Sequence, residues 1–258
     1  MGEKKNKGIA GSTLKLIAII TMFFDHIGAV ILERMMTQYL MNAKKGGIKV
    51  LMQVYHQHQA LFIVDAVLRE IGRLGFPLFC FLLVEGFYYT RSRKKYAFRL
   101  FVFALVSEIP FDLAFNKQLF YMGYQNVFFT LFFGMTAMLG MDKLEKQLDG
   151  KKTVTFLLST AVTAVCATAA YFLRTDYGAW GVVTIAVMYQ LRERKDLEIF
   201  GGCMALTIMS LGEISSFLTL IPVKLYNGTR GMKLKYVFYL FYPVHLLLLF
   251  LTATLLLN

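Results

Sequence analysis

The chain has 258 residues, 57% hydrophobic and only 17% charged, with a mean hydropathy of +0.55. Soluble domains run at about 45–50% apolar and about 25% charged, so an ordinary soluble fold, disorder, collagen, a disulfide scaffold and a coiled coil are all excluded. The formal net charge of +12 would suit nucleic acid. Here, however, the Lys and Arg residues sit in short segments between apolar runs, as in cytoplasmic loops, and no nucleic-acid partner is expected.

Residues 1–13 form a polar, basic N-terminus. The apolar run 14–32 is too long for a signal-peptide core, carries Asp25 and His26 and lacks a small-residue cleavage site, so it reads as the first span. Residues 33–61 read as the one sizeable loop, on the extracytoplasmic side, containing Lys44-Lys45-Gly46-Gly47 and His56-Gln57-His58. Residues 59–68 read as an amphipathic piece along the interface. Further spans are expected at 72–89, 97–115, 126–141, 153–173, 180–191 and 236–257. Residues 197–223 carry Gly212-Glu213 near their centre and fit one kinked span or a hairpin of two short ones.

Charge separates the two. With the N-terminus inside and a hairpin, the inner side collects Lys4, Lys5, Lys7, Lys15, Arg91, Arg93, Lys94, Lys95, Arg99, Lys143, Lys146, Lys151, Lys152, Arg192, Arg194, Lys195, Lys224, Arg230, Lys233 and Lys235, twenty of the 28 basic residues. A single span moves the last four outward, so the positive-inside rule favours the hairpin. The expected fold is all-α: one polytopic transmembrane helix bundle over residues 1–258, with about nine spans, a cytoplasmic N-terminus and the cell (cytoplasmic) membrane as its location. Cys80, Cys166 and Cys203 lie in apolar runs without CxxC spacing and read as small core side chains. His56 and His58 read as solvated, and no metal is expected. Asn227-Gly228-Thr229 fits a glycosylation sequon but reads better as a turn.

Ionisable groups inside a span cost about 2.5–3.5 kcal/mol on insertion scales, so they mark function by default. Asp25 and His26 lie in the first span, Glu85 in the second, Glu108 and Asp112 in the third and His245 in the last. Gln125-Asn126 head the fourth span and Asp176 the sixth. In the topology above His26, Glu108, Asp112, Gln125, Asn126 and Asp176 fall in the outer half of the membrane. Lys15, Arg91–Arg99, Tyr226-Asn227 and Arg230 fall at the inner face. A neutral His acts as a general base when a partner fixes its tautomer. Neighbours i,i+1 do not share a helix face, so the expected partner of His26 is Glu108 or Asp112 rather than Asp25. His245 follows Tyr242-Pro243 and lines the cavity or caps a kink.

At these residues the sequence resembles the TraX family, named for the conjugation protein that N-acetylates pilin. The matching stretches are Ile17-Ala-Ile-Ile-Thr-Met-Phe-Phe-Asp25-His26-Ile-Gly28, Ile71-Gly-Arg73-Leu-Gly-Phe-Pro77, Val84-Glu85-Gly86-Phe87 and Ser107-Glu108-Ile-Pro110-Phe-Asp112. They continue with Gln125-Asn126-Val-Phe-Phe-Thr130, Asp176-Tyr177-Gly178-Ala-Trp-Gly181, Leu225-Tyr226-Asn227-Gly228, Arg230-Gly231 and Tyr239-Leu-Phe-Tyr242-Pro243-Val-His245. Together they cover nearly the whole chain, whereas residues 33–61 match no motif. The chain is also similar to membrane acyltransferases that modify sugars, in which a basic residue, ten positions and a histidine occupy the first span. Lys15 and His26 have that spacing, about 15 Å of helix.

The resemblances imply transfer of an acetyl group from cytoplasmic acetyl-CoA to an amine, such as a pilin-like peptide N-terminus, or to a hydroxyl on a glycan or lipid outside. The catalytic group is expected to comprise His26, Asp25, Glu108 and Asp112. Gln125, Asn126, Asp176, Tyr177, Arg73, Glu85 and His245 are expected around the acceptor and the oxyanion. Lys15, Arg91, Arg93, Lys94, Tyr226, Asn227 and Arg230 are expected to hold coenzyme A. Two other readings use the same residues: a proton-coupled transporter or channel, and a membrane assembly factor whose polar core is structural.

Overall fold

The first apolar run forms helix α1 (Gly11–Ile27), but no loop follows it. In the computed structural model, which describes residues 8–44, 47–232 and 235–257, α1 passes through a π turn at Gly28–Leu32 into α2 (Glu33–Lys44). Lys4, Lys5, Lys7, Lys45, Gly46 and Lys233, and the side chains of Lys44 and Lys235, lie outside the described part. The turn falls where the helix Gln59–Gly72 packs closely against the end of α1. A Cβ on Gly28 would lie 2.9 Å from Asp65 Oδ1 and 3.1 Å from Arg69 Cδ, and π turns of this kind recur at functional sites.

Residues 33–61 are therefore not a loop. They hold α2 and α3 (Gly47–Gln57), and 59–68 belongs to α4 (Gln59–Gly72) rather than to a separate interfacial piece. The helical signal was present in Ile48, Leu51, Met52 and Tyr55, spaced i, i+3, i+4, i+7, but their polar neighbours masked it. The Tyr39 ring stacks on His58 at 4.1 Å, and α4 runs antiparallel to α1, Arg69 reaching both Glu33 and Asp25. The chain breaks at Arg73-Leu74 and resumes as α5 (Gly75–Tyr89), where Pro77 is tolerated because it lies in the first turn.

The remaining apolar runs are helices at the expected places: α6 (Arg93–Asn116), α7 (Val127–Gln147), α8 (Lys152–Phe172), α9 (Gly178–Leu191) and α12 (Lys235–Leu257). Ser92 caps α6 and Asn126 caps α7, each accepting a backbone N–H. Between α9 and α12, α10 (Lys195–Met209) ends at an extended Ser210. A 3₁₀ run at Leu211–Thr219 and the short α11 (Leu220–Lys224) return along it. Cys203 Sγ lies 3.3 Å from the Ser216 carbonyl and the Phe200 and Phe217 rings are 5.4 Å apart. The hairpin, not the single kinked span, is the structure formed.

Among the described residues there are no strands, only isolated backbone bridges at Ile9–Tyr226 and Gln125–Thr175. Among the described residues four helices are long and apolar enough to cross a membrane, at Gly11–Met41, Val127–Gln147, Lys152–Phe172 and Phe238–Leu257. Phe156, Val165 and Phe172 project outward from α8, as side chains do when their solvent is lipid. The three cysteines are free and buried, and Asn227-Gly228-Thr229 is a turn with Gly228 at φ +77°.

Candidate functional site

His26 is buried where α1 meets α12. Its Nδ1 lies 2.6 Å from His245 Nε2, and the two rings are coplanar within 1°. The tautomers follow from the acceptor at the far end of the chain of contacts. His245 Nδ1 lies 2.7 Å from the Phe241 carbonyl oxygen, which only accepts, so Nδ1 carries the proton. In neutral His245 this makes Nε2 the acceptor, so His26 Nδ1–H donates to it. The basic nitrogen left on His26 is Nε2. Phe115 and Tyr242 meet the His26 ring edge-on at 5.5 and 5.9 Å, and Phe23 and Phe241 flank His245 at 6.0 and 4.6 Å.

The partner of His26 is therefore His245, and the expected role of Glu108 or Asp112 as its orienting carboxylate is corrected. Those two carboxylates serve the start of α7 and the turn before it. Glu108 accepts from Asn126 Nδ2, which also donates to the Ala104 carbonyl at 2.8 Å. Asp112 accepts the Tyr121 N–H at 2.7 Å. Asn126 thus has both amide hydrogens engaged and its Oδ1 on the Phe128 N–H, which removes it as an oxyanion donor.

Asp25 faces α4, away from the histidine pair. Arg69 binds it at 2.7 Å, and Gly72 packs so closely that a Cβ there would lie 2.4 Å from the Asp25 side chain. Around this pair Arg73 bridges to Glu213 of the 3₁₀ run and Tyr124 Oη donates to Asp176 Oδ1 at 2.6 Å. Asp25, Asp176 and Glu213 lie within electrostatic reach of one another and of Arg73, and Arg69 within reach of His26. Tyr177, held at φ +60° ahead of α9, stacks on Phe76 at 3.7 Å. Backbone bonds from Gln125 N to the Arg174 carbonyl (3.0 Å) and from Asp176 N to the Gln125 carbonyl (2.8 Å) join the two connections that carry these groups.

The remaining expected residues gather at the opposite, basic end. Glu85 is there rather than near the acceptor, accepting from Tyr226 Oη at 2.9 Å. Lys195 sits over the Tyr226 ring at 4.7 Å. Arg93 is engaged by Asp142 at 2.6 Å, so it is a structural tie and not a free cation. Arg91 and Lys94 are exposed, and Arg230 bears electrostatically on Lys15. The segment after α11 is strapped to the N-terminal segment: the N–H groups of Ile9, Gly11 and Ser12 donate to the carbonyls of Leu225, Thr229 and Arg230 at 2.9, 2.7 and 3.0 Å.

Sequence reasoning missed Arg69, Glu213 and Glu198. Arg69 lies four residues from Asp65 within a helical pattern and was legible as a helix-face charge. Glu213 was visible only as an interruption. Glu198 is buried, with Oε1 unpartnered among the described residues, yet it follows Lys195-Asp196 and reads as part of a solvated helix start.

The chain is 29% identical over 272 residues to a protein of Dichelobacter nodosus named probable fimbrial assembly protein FimC, serogroup H1, with 95% of this chain and 96% of that one covered. No solved structure matches the chain. The profile described as TraX protein matches residues 10–253, a stretch that contains the histidine pair, the ionic cluster and the basic end, and the chain belongs to the TraX family.

Proposed function

We propose that this chain is an integral-membrane acyltransferase that moves an acetyl group from cytoplasmic acetyl-CoA to an amine, such as a pilin-like peptide N-terminus, or a hydroxyl outside. The observation that carries the reading is the His26–His245 pair, which leaves His26 Nε2 basic inside an apolar aromatic surround. In this reading the N-terminus is cytoplasmic and the chain crosses about nine times, with α10 and the 3₁₀ run as one short crossing pair. The support is the segregation of Arg91, Lys94, Arg194 and Lys195 to the end opposite Asp176 and Tyr124.

His26 Nε2 accepts the proton of the acceptor amine as its nitrogen attacks the thioester carbonyl carbon. His26 Nδ1–H stays on His245, which spreads the imidazolium charge toward the Phe241 carbonyl. The tetrahedral adduct then expels the CoA thiolate, which takes the proton from His26, giving the amide and free CoA. With Asn126 engaged elsewhere, Tyr177 is the remaining candidate for the oxyanion donor. Lys15, Arg91, Lys94 and Arg230 are the cations that fit the phosphates of CoA. Asp25, Asp176, Arg73 and Glu213 form the polar surface that the acceptor meets.

A second reading, ion-coupled transport, draws on one observation. Two broken segments, α4–α5 and α10 with its 3₁₀ return, meet through Arg73 and Glu213, and discontinuous helices often build transport sites. Thermal stabilisation of the solubilised protein by CoA separates the two, because a ligand that binds only the folded state raises its midpoint. Mass spectrometry of surface peptides and glycans from cells with and without the gene tests the transferase reading. It predicts one class of molecule that loses an acetyl mass, and an unchanged acetyl inventory contradicts it.

A further inference from the structure

The α2–α3 pair, whose sequence reads as a loop in water, carries an exposed apolar face. α3 packs on α2, no residue of α3 is fully buried, and Leu51 and Val54 are its half-buried positions. Ile48, Met52 and Tyr55, spaced i, i+4, i+7, form a second side that is exposed, Ile48 by 81%. Lys49, Gln53 and His56 repeat that spacing on a third side. α3 is thus divided lengthwise into packed, apolar and polar sides. Tyr55 meets the Phe62 ring of α4 at 4.9 Å, and the apolar face continues along α4 onto Ile63, Val64 and Val67, each about half exposed. Water is a poor partner for so extended an apolar surface.

The neighbouring helix shows what covers it. α12 runs the same way as α1: His26 meets His245, and farther along Arg34 of α2 lies 5.9 Å from the Phe250 ring. Beyond Phe250, α12 stays apolar to Leu257, about 10 Å more of helix, and Leu255 and Leu256 project outward. The apolar solvent that these leucines need therefore extends past Arg34, to the level at which α2 runs and α3 returns.

We infer that the α2–α3 pair is sunk into the membrane leaflet away from the basic end, with Ile48, Met52 and Tyr55 on phospholipid acyl chains and Lys49, Gln53 and His56 among the headgroups. A helix so divided lies at the boundary between headgroup and acyl chain, the depth that Tyr39 and Tyr55 also suit. The inference holds whichever chemistry the histidine pair performs. It also ties the site to the leaflet. α2 continues α1 through the π turn beside His26, and Arg34 donates to the carbonyls of Leu113 and Ala114 at the end of α6, where Phe115 meets the His26 ring.

Spin labelling of the full-length protein in phosphatidylcholine nanodiscs tests this. Nitroxides are attached one at a time at Ile48→Cys, Lys49→Cys, Met52→Cys, Gln53→Cys, Tyr55→Cys and His56→Cys, and the buried native cysteines keep the background low. Val165→Cys on the outward face of α8 is the lipid reference, and Leu119→Cys between α6 and α7 the aqueous one. The ratio of collisions with oxygen to collisions with a water-soluble nickel chelate is expected to be at least about threefold higher at 48, 52 and 55 than at 49, 53 and 56, as an interfacial helix requires. Nickel access at all six positions equal to that at Leu119→Cys would overturn the inference. So would exclusion of both reagents from 48, 52 and 55, as when a protein partner or a second copy covers the face. A second measurement needs no substitution: irradiation of the unaltered protein with a phosphatidylcholine carrying a diazirine on its acyl chain. The carbene left by loss of nitrogen should insert into the 47–57 peptide, and tagging of α8 without tagging of that peptide would contradict the lipid contact.

Discussion

Asp25 and His26 are neighbours in the chain, but they are bound by different helices. Asp25 is held by Arg69 of α4 at 2.7 Å, and His26 meets His245 of α12 at 2.6 Å. One turn of α1 therefore joins two separate polar systems, an ionic cluster and an uncharged imidazole pair, in the half of the bundle away from the basic end.

In the proposed reaction His245 acts through His26, as a positioning residue. His245→Ala should lower kcat for acetyl transfer by about 10²-fold or more, within the range for losing a correctly poised general base. The KM for acetyl-CoA should stay within about twofold, since the proposed reading puts the donor's phosphates at the other end. Steady-state kinetics at matched protein stability read this split, and an effect on KM alone contradicts the assignment.

Gly72→Ala tests the contact beneath Asp25. A Cβ at 2.4 Å from that side chain cannot be accommodated without moving α4 or breaking the Asp25–Arg69 pair, so a loss of about 1–3 kcal/mol is expected. Arg69→Ala should cost a similar amount. The pair is roughly a quarter exposed on each side, so the larger penalty of a fully buried pair is not reached. Thermal unfolding of the solubilised variants measures both, and wild-type midpoints would show that the contact is slack.

Asn126 caps α7 and holds Glu108 at once. Asn126→Ala removes the cap, worth about 0.5–2 kcal/mol, and strands a carboxylate in an apolar setting. Glu108→Gln in the same background should recover part of the loss, because a neutral amide tolerates the missing donor better. A double-mutant cycle on unfolding midpoints detects the coupling. Additive effects would mean that the two side chains do not depend on each other.

Sidedness is tested by thiol labelling with a membrane-impermeant maleimide. The native cysteines are buried, so background is low. Leu119→Cys, exposed between α6 and α7, should label in intact cells. Arg91→Cys should label only after permeabilisation. Labelling of both from the same side would contradict the proposed orientation.

Most helix positions were legible in the sequence because apolar runs in a lipid-exposed bundle are long and nearly uncontaminated by charge. The hairpin at 197–223 was legible through its flanking cations, which count sides even where the apolar length is ambiguous. The helices at 33–57 were not, since Arg34, Asn42 and Lys49 break the apolar pattern and no run reaches spanning length. The site was legible residue by residue and not pair by pair. His26 and His245 are 219 positions apart, and nothing local in either segment points to the other. Glu108 and Asp112 share a helix face, as their spacing requires, but the face meets the start of α7 and not α1.

Acetyl transfer by purified protein reconstituted in vesicles measures the central claim most directly. Labelled acetyl-CoA is supplied on one side, and acetyl appearing on a pilin-like peptide amine on the other is counted for wild type and His26→Ala. With both proteins folded and inserted alike, wild type is predicted to transfer label across the bilayer and His26→Ala to fall by about 10²–10⁴-fold. Transfer by His26→Ala at the wild-type rate would contradict the account.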